Sequence, residues 1–254
     1  MAEVVQSVDR ALEILELLSC HVDGLAIKEI SEKLELHKST VHRLLGTLIY
    51  KGYVEQNELN NRYLVTLKLF QLGSRKVENT DVIETSKPYL NQLAQFSGEV
   101  VHLVLRDGTD IIYVDKVEGN QTIRMHSKIG NRSPMYCTGV GKAIMSTLEE
   151  DEIKMIWENS EIKRLTEHTI IELAEMHQTI EQIKLSGYAL DNEENELGVK
   201  CVAVSIKDYR GISIAAISIS GPKERMTNEK IITYSQKLKK SCQEISERLG
   251  YNPM

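Results

Sequence analysis

The sequence predicts an α+β protein of two domains: a small amino-terminal unit of short helices and a hairpin, and a larger unit in which helices pack on a sheet. Three observations carry this reading. The chain has 254 residues, more than the roughly 100–200 of a usual single domain. Through the first fifty positions apolar residues recur at helical spacing, and two short β-prone runs follow. Beyond residue 80, strand signals give way to helical stretches and then return. The predicted divisions are 1–66 for the small unit, 67–79 for a linker helix and 80–254 for the large unit.

In the small unit, Ser7 is placed to cap a helix running to about Ser19, with Val8, Ala11, Leu12, Leu15 and Leu18 as its buried stripe. Asp23-Gly24 breaks the chain. A second helix over 27–34 turns Ile27, Ile30 and Leu34 inward. After the turn Glu35-Leu36-His37, a third helix over about 38–51 buries Val41, Leu44, Leu45 and Leu48. Gly52 ends it where a left-handed C-cap is expected. Two β-prone stretches, 53–56 and 62–65, flank an asparagine-rich turn at 57–61. Three helices followed by a hairpin make a winged helix-turn-helix.

In the large unit, after a linker with Leu67, Leu69, Phe70 and Leu72 on a face suited to a partner subunit, 86–96 reads as helix. Strands are expected at 100–105, 111–117 and 122–128, helices near 141–148, 151–158 and 170–185, and strands again at 188–191, 199–206 and 212–220. A long amphipathic helix over 228–249 closes the chain.

Charge narrows the function. Lys+Arg number 31 against 37 Asp+Glu, a net of −6, which excludes a diffuse cationic coat for nucleic acid and leaves only a local patch. Such a patch exists. Residues 1–65 are net acidic, yet no acid stands between Glu35 and Glu55. With the apolar stripe of the third helix inward, Lys38, Ser39, Thr40, His42, Arg43 and Thr47 turn outward, and the wing adds Arg62. Cations pair with phosphate or guanine and hydroxyls reach phosphates or base edges, so this face is the predicted contact with double-stranded DNA.

No window approaches the ~18 apolar residues of a membrane span, and the amino terminus lacks the basic start and cleavage site of a signal peptide. Cys20, Cys137, Cys201 and Cys242 are scattered with no CxxC pair. That argues against a metal site or a disulfide framework and for a reducing cytoplasm.

The segment His37–Leu48, HKSTVHRLLGTL, closely resembles the recognition helix of the IclR family of bacterial transcription regulators, and VQSVDRALEILELL and RYLVTLKLFQLG resemble its flanks. Two departures occur: Glu35 replaces a turn glycine and His37 a proline. Either Glu35 sits in a strained backbone position or the turn differs slightly.

The large unit holds three features of its own. In PMYCTGVGKA (134–143), Thr138 is a good N-cap, and the glycines leave backbone N–H groups open to a carboxylate or phosphate. A nucleotide P-loop fails there twice, at Tyr136 and Ala143. Ser218 and Ser220 share one face of a strand with Ile219 on the other. GYALDNEE (187–194) ends a strand in acids, with Cys201 in the next. Singly, each has a plainer account: a helix cap, serines on a sheet edge, a solvated acidic loop, a small buried cysteine.

Together with GVKCVAV and AISISGP they resemble the effector-binding domain of IclR regulators, which has a GAF-like fold. The resemblance implies a small organic acid held by the amides of Gly139 and Val140, with Asp191, Cys201, Ser218 and Ser220 as polar lining and Met125 as an apolar wall. Gly139 in place of the usual alanine is expected to enlarge that pocket, and Ser205 stands where many members have proline.

The implied protein is a cytoplasmic transcription regulator, a repressor before an activator, working as a homodimer or homotetramer on a pseudo-palindromic operator. It needs no cofactor. A regulator without a ligand is the alternative. An enzyme using Cys201, Cys137 or a serine is disfavoured, since no G-x-S-x-G elbow or HExxH is present.

Overall fold

In the computed structural model, which describes residues 4–78, 81–120 and 128–252, the chain forms two compact units, 1–79 and 80–254. The first contains α1 (Gln6–Ser19), α2 (Ile27–Lys33), α3 (Lys38–Tyr50), β1 (Val54–Gln56), β2 (Tyr63–Val65) and α4 (Lys68–Glu78). Its core is one aliphatic cluster of Ile14, Leu15, Leu18, Ile30, Val41, Leu44, Leu45 and Leu48, closed by Val54 and Tyr63 from the hairpin.

Two expectations for α1 are corrected. Its N-cap is Val5, with no side-chain cap, rather than Ser7. Its buried stripe is Ile14, Leu15 and Leu18, while Val8 and Leu12 remain more than half exposed. At about 100° per residue these two lie roughly 80–120° around the helix from Leu18, outside the sector that α2, α3 and the hairpin cover. The apolar arc of α1 is wider than the core it faces.

The turn between α2 and α3 adopts the first of the two geometries expected for it. Glu35 has φ +53°, and the chain closes around it through Leu36 N–H to Ser31 O (3.0 Å) and Ser31 Oγ–H to Leu36 O (2.5 Å). A left-handed conformation costs a β-carbon-bearing residue roughly 1–2 kcal/mol, partly offset by glycine's greater freedom in the unfolded chain. Glu35→Gly is therefore expected to stabilise the small unit by about 0.5–1 kcal/mol, read as a higher urea midpoint with an unchanged slope. A lower midpoint would show that the Glu35 side chain contributes more than its backbone costs.

The second unit contains α5 (Val82–Ser97), β3 (Val100–Asp107), β4 (Asp110–Val117), β5 (Arg132–Pro134), α6 (Gly139–Met145), α7 (Glu150–Glu158), α8 (Leu173–Ser186), β6 (Ala189–Asn192), β7 (Val199–Lys207), β8 (Ser213–Pro222) and α9 (Asn228–Arg248). The strands form one antiparallel sheet in the order β5-β4-β3-β8-β7-β6. Strand alternation divides the interior. Val101, Leu103, Val202, Ile206, Ile217 and Ile219 face α5 and α9. Val104, Ile111, Ala189, Ala203 and Ala216 face α6, α7 and α8. β5 has no counterpart among the expected strands, and of the run expected at 122–128 only Lys128 lies within the described residues.

The helix ends follow their caps. Asp81 Oδ1 accepts from Ile83 N–H to start α5, and Gly98 (φ +71°) ends it. Thr138 caps α6 as expected, its Oγ1 accepting from Gly141 N–H at 3.1 Å. A β-carbon on Gly141 would stand 2.3 Å from the Met135 backbone, so glycine lets α6 press directly onto that segment.

Candidate functional site

Two sites emerge, one in each unit. In the first, burial of Val41, Leu44, Leu45 and Leu48 turns the opposite face of α3 outward. Lys38, Ser39, His42, Arg43 and Thr47 are exposed and Thr40 is half-buried. Among the described residues neither Lys38 nor Arg43 takes part in an ion pair, so both cations stand ready for phosphate or guanine. Thr47 Oγ1 donates to the Arg43 carbonyl at 3.2 Å.

Arg62 is placed differently from the other cations of this set. Its guanidinium bonds the Gly24 carbonyl (2.6 Å) and Glu29 Oε1 (3.2 Å). The other oxygen of Glu29 accepts from Ala26 N–H at 2.8 Å, and these partners hold its carboxyl below the usual range, the backbone bond most strongly. Gly24 (φ +69°) lies where a β-carbon would meet the Tyr63 carbonyl at 2.6 Å. Arg62 thus ties β2 to the start of α2 and sets the wing's position.

The second site follows from register. Along β8 the residues facing α6 are Ala216, Ser218 and Ser220, and these small side chains leave space that the Ile217–Ile219 face does not. Pairing puts Asp191 opposite Cys201 and Cys201 opposite Ser220. It also puts Ala203 opposite Ser218 and Ser218 opposite His102. Two polar rows therefore run across the sheet beneath the start of α6, enclosing a cavity of about 210 Å³. Gly139, Val140, Asp191, Cys201, Ser218 and Ser220 all line it. Met125 lies outside the described residues. The methyl that Gly139 lacks would sit 3.2 Å from Asp191 N and 3.6 Å from Ala203 Cβ, so the space it vacates borders β6 and β7.

Further lining, not evident from the sequence, comes from β3, β4, β5 and the loop after β6: His102, Tyr113, Ser133 and Asn195 among them. His102 carried one available signal, a polar residue inside the apolar run 100–105. It is 3% exposed, stands edge-on to Tyr113 at 5.2 Å, and shares a hydrogen bond with Ser220 Oγ (3.4 Å to Nδ1). Burial, then the charge of Lys116, lowers its imidazole to about 3. It is a neutral ring at physiological pH and a very weak base.

The acidic loop is not solvated: Asp191, Glu193 and Glu194 are 4%, 8% and 6% exposed. Glu193 is left-handed (φ +63°) and accepts from Gly198 N–H at 2.9 Å. Thr166 and Thr169 hydroxyls donate to the carbonyls of Glu193 (2.6 Å) and Glu194 (2.7 Å). Lys142, 1% exposed on α6, pairs with Glu194 Oε1, while Glu194 Oε2 is buried without a partner. Asp191 Oδ1 accepts from the N–H groups of Glu194 (2.8 Å) and Asn195 (3.3 Å). Burial, reinforced by Glu194, raises Asp191 to about 7. Burial also pushes Cys137 up to about 12 and raises Cys201, so both remain thiols. No activated nucleophile is present among these groups, for a nucleophile needs a competent base within reach.

A winged helix-turn-helix with an exposed cationic helix face, carried on one chain with an α+β domain, is the architecture of a DNA-binding transcription regulator. Residues 7–58 match the IclR helix-turn-helix domain and residues 74–247 match the C-terminal domain of bacterial IclR transcriptional regulators. The chain belongs to the IclR family.

Over 248 residues it is 37% identical to the HTH-type transcriptional regulator KdgR of Escherichia coli K12, covering 98% of this chain and 94% of that one. It is 32% identical over 248 residues to the HTH-type transcriptional repressor AllR of Salmonella paratyphi A, covering 98% and 91%. The crystal structure of Thermotoga maritima IclR matches it with TM-score 0.66 at 36% identity, over 97% of this chain and 99% of that one.

Proposed function

We propose that this regulator is a repressor whose affinity for its operator is controlled by a small carboxylate metabolite bound in the cavity of the second unit. The observation that carries this is the convergence, around about 210 Å³, of the α6 amides at Gly139 and Val140 with the Ser218 and Ser220 hydroxyls, Asp191 and Cys201. A small pocket with a few convergent polar groups is the usual form of a ligand site. N–H and O–H donors suit a carboxylate.

Operator contact is assigned to Lys38, Ser39, Thr40, His42, Arg43 and Thr47. Arg62, bonded to Gly24 and Glu29, sets the wing and is the wing's own contact to the operator backbone. The uncovered apolar residues Val5, at the N-cap of α1, Val8 and Leu12 on α1, and Phe70 on α4 support a homodimer or homotetramer, which would match a two-fold operator. The sense of regulation is taken from the AllR relative, a transcriptional repressor by name. Ligand binding would shift operator affinity by the 1–3 kcal/mol typical of such coupling.

The test is the double variant Ser218→Ala/Ser220→Ala. It is expected to lose the rise in melting temperature that small 2-keto and 2-hydroxy acids give the parent protein, while binding the operator unchanged. A full thermal response in the variant would remove these serines from the ligand site. No response to any acid in the parent would favour a regulator without a small-molecule ligand.

A further inference from the structure

The charges around the cavity do not suit the anion it is read to hold. Among the described residues lining it there is no lysine or arginine, and its charged members, Asp191 and Glu196, are both acids. The groups facing Asp191 can be taken element by element. Two cations are largely buried among the described residues of these elements: Lys142 on α6, whose ammonium is committed to Glu194, and Lys116 on β4, opposite His102 and paired with Glu118. Glu194, Asn195 and Glu196 follow on the loop after β6, and Cys201 on β7 and Cys137 before α6 are thiols. Tyr113 on β4 is pushed up to about 12, so its phenol is neutral, and His102 on β3 is an uncharged ring. Lys142 cancels Glu194 and Lys116 cancels Glu118, so among the described residues this cluster is net negative with Asp191 ionised, before any ligand arrives. An anionic ligand would add a second uncompensated negative charge at low dielectric, which buried sites avoid by changing protonation.

We infer that Asp191 enters the ligand complex as the neutral acid, donating its O–H to an acceptor oxygen of the bound carboxylate, so that one proton is taken up from solvent with each ligand. The inference rests on the ligand-site reading above. Oδ1 already accepts two backbone N–H groups, which leaves Oδ2 to carry the proton. Burial supports this by holding the free side chain near the midpoint of its titration at neutral pH. Above pH 7 the empty cavity contains the carboxylate, and loading returns a proton to it. Selectivity follows: acids offering acceptor oxygens are admitted, and analogues carrying an ammonium, which an ionised Asp191 would welcome, are refused.

The experiment uses the full-length protein. Pyruvate, 2-oxobutyrate, lactate, glycerate, gluconate, alanine and serine are screened by thermal shift at pH 6, and the tightest binder goes to calorimetry. At pH 8, titrations in phosphate and in Tris, whose ionisation enthalpies differ, are expected to report uptake of about one proton per site. Kd is expected to rise about tenfold per pH unit above pH 7.5. Asp191→Asn keeps a donor in place and is expected to bind with a Kd flat from pH 6 to 8.5 and no proton uptake.

Binding by the parent with no proton uptake, or preference for alanine or serine, overturns the inference and leaves the ligand site standing. So does an Asp191→Asn variant that melts normally but no longer binds at pH 6, since Asp191 is then an acceptor. Proton uptake that persists in Asp191→Asn assigns the proton to another group, His102 first, and overturns it too. If no acid binds at either pH, the ligand-site reading falls and this inference with it.

Discussion

Lys142→Met is expected to lower the unfolding free energy of the second unit by about 3–5 kcal/mol, the usual cost of removing one partner of a buried ion pair. Lys142 is 1% exposed, and its ammonium is the partner of Glu194 Oε1. Because Glu194 Oε2 already lacks a hydrogen bond, the variant leaves a buried carboxylate with no cation and only the long Asn192 N–H (3.4 Å) on Oε1. The reciprocal prediction separates this cause from simple loss of packing. Lys142→Met combined with Glu194→Leu removes both charges at similar volume and is expected to recover most of the loss. Urea unfolding of both variants decides the matter. A single variant within about 1 kcal/mol of the parent would show that the pair is not electrostatically buried.

Arg43→Ala is expected to weaken operator binding by about 1–3 kcal/mol, roughly 5- to 150-fold, if its guanidinium reads a base edge. The side chain is exposed on the acid-free face of α3 and takes part in no ion pair among the described residues, so its loss disturbs nothing within the fold. Lys38→Ala, at the first turn of the same helix, is expected to weaken all sequences alike and to reduce the salt slope by about one. Fluorescence anisotropy on operator and scrambled duplexes at several salt concentrations distinguishes the two roles. Unchanged operator affinity for Arg43→Ala would remove it from the interface.

Much of this molecule is readable from local pattern. The third helix is legible residue by residue, because Val41, Leu44, Leu45 and Leu48 recur at helical spacing and Gly52, at φ +75°, ends it. Glu35 is legible as a departure from a family pattern, and the backbone there does carry positive φ. What escapes depends on partners distant in sequence. The exposed side of α1 cannot be told from its buried side by periodicity alone when both are apolar. β5 is three residues, Arg-Ser-Pro, too short to alternate, and it exists because β4 offers it an edge.

His102 joins the cavity only through the pairing of β3 with β8, which brings it opposite Ser218 from far along the chain. Thr166 and Thr169 matter only because the folded chain brings the acidic loop onto them. The serines, Cys201 and Asp191 stand in the sequence as separate motifs. Their union in two rows is a consequence of strand register, which no single motif encodes.

The distribution of sulfhydryl groups has a practical consequence. Cys20, at the end of α1, is exposed; Cys137 and Cys242 are buried and Cys201 is half-buried, and burial raises all three. Thiolate, not thiol, is what alkylating reagents attack. A maleimide dye or nitroxide added to the unmodified protein will therefore mark the DNA-reading unit at Cys20 in preference to the other three. In an assembly of identical subunits such labels form matched pairs, so the separation of two reading heads can be followed during titration without engineering the chain.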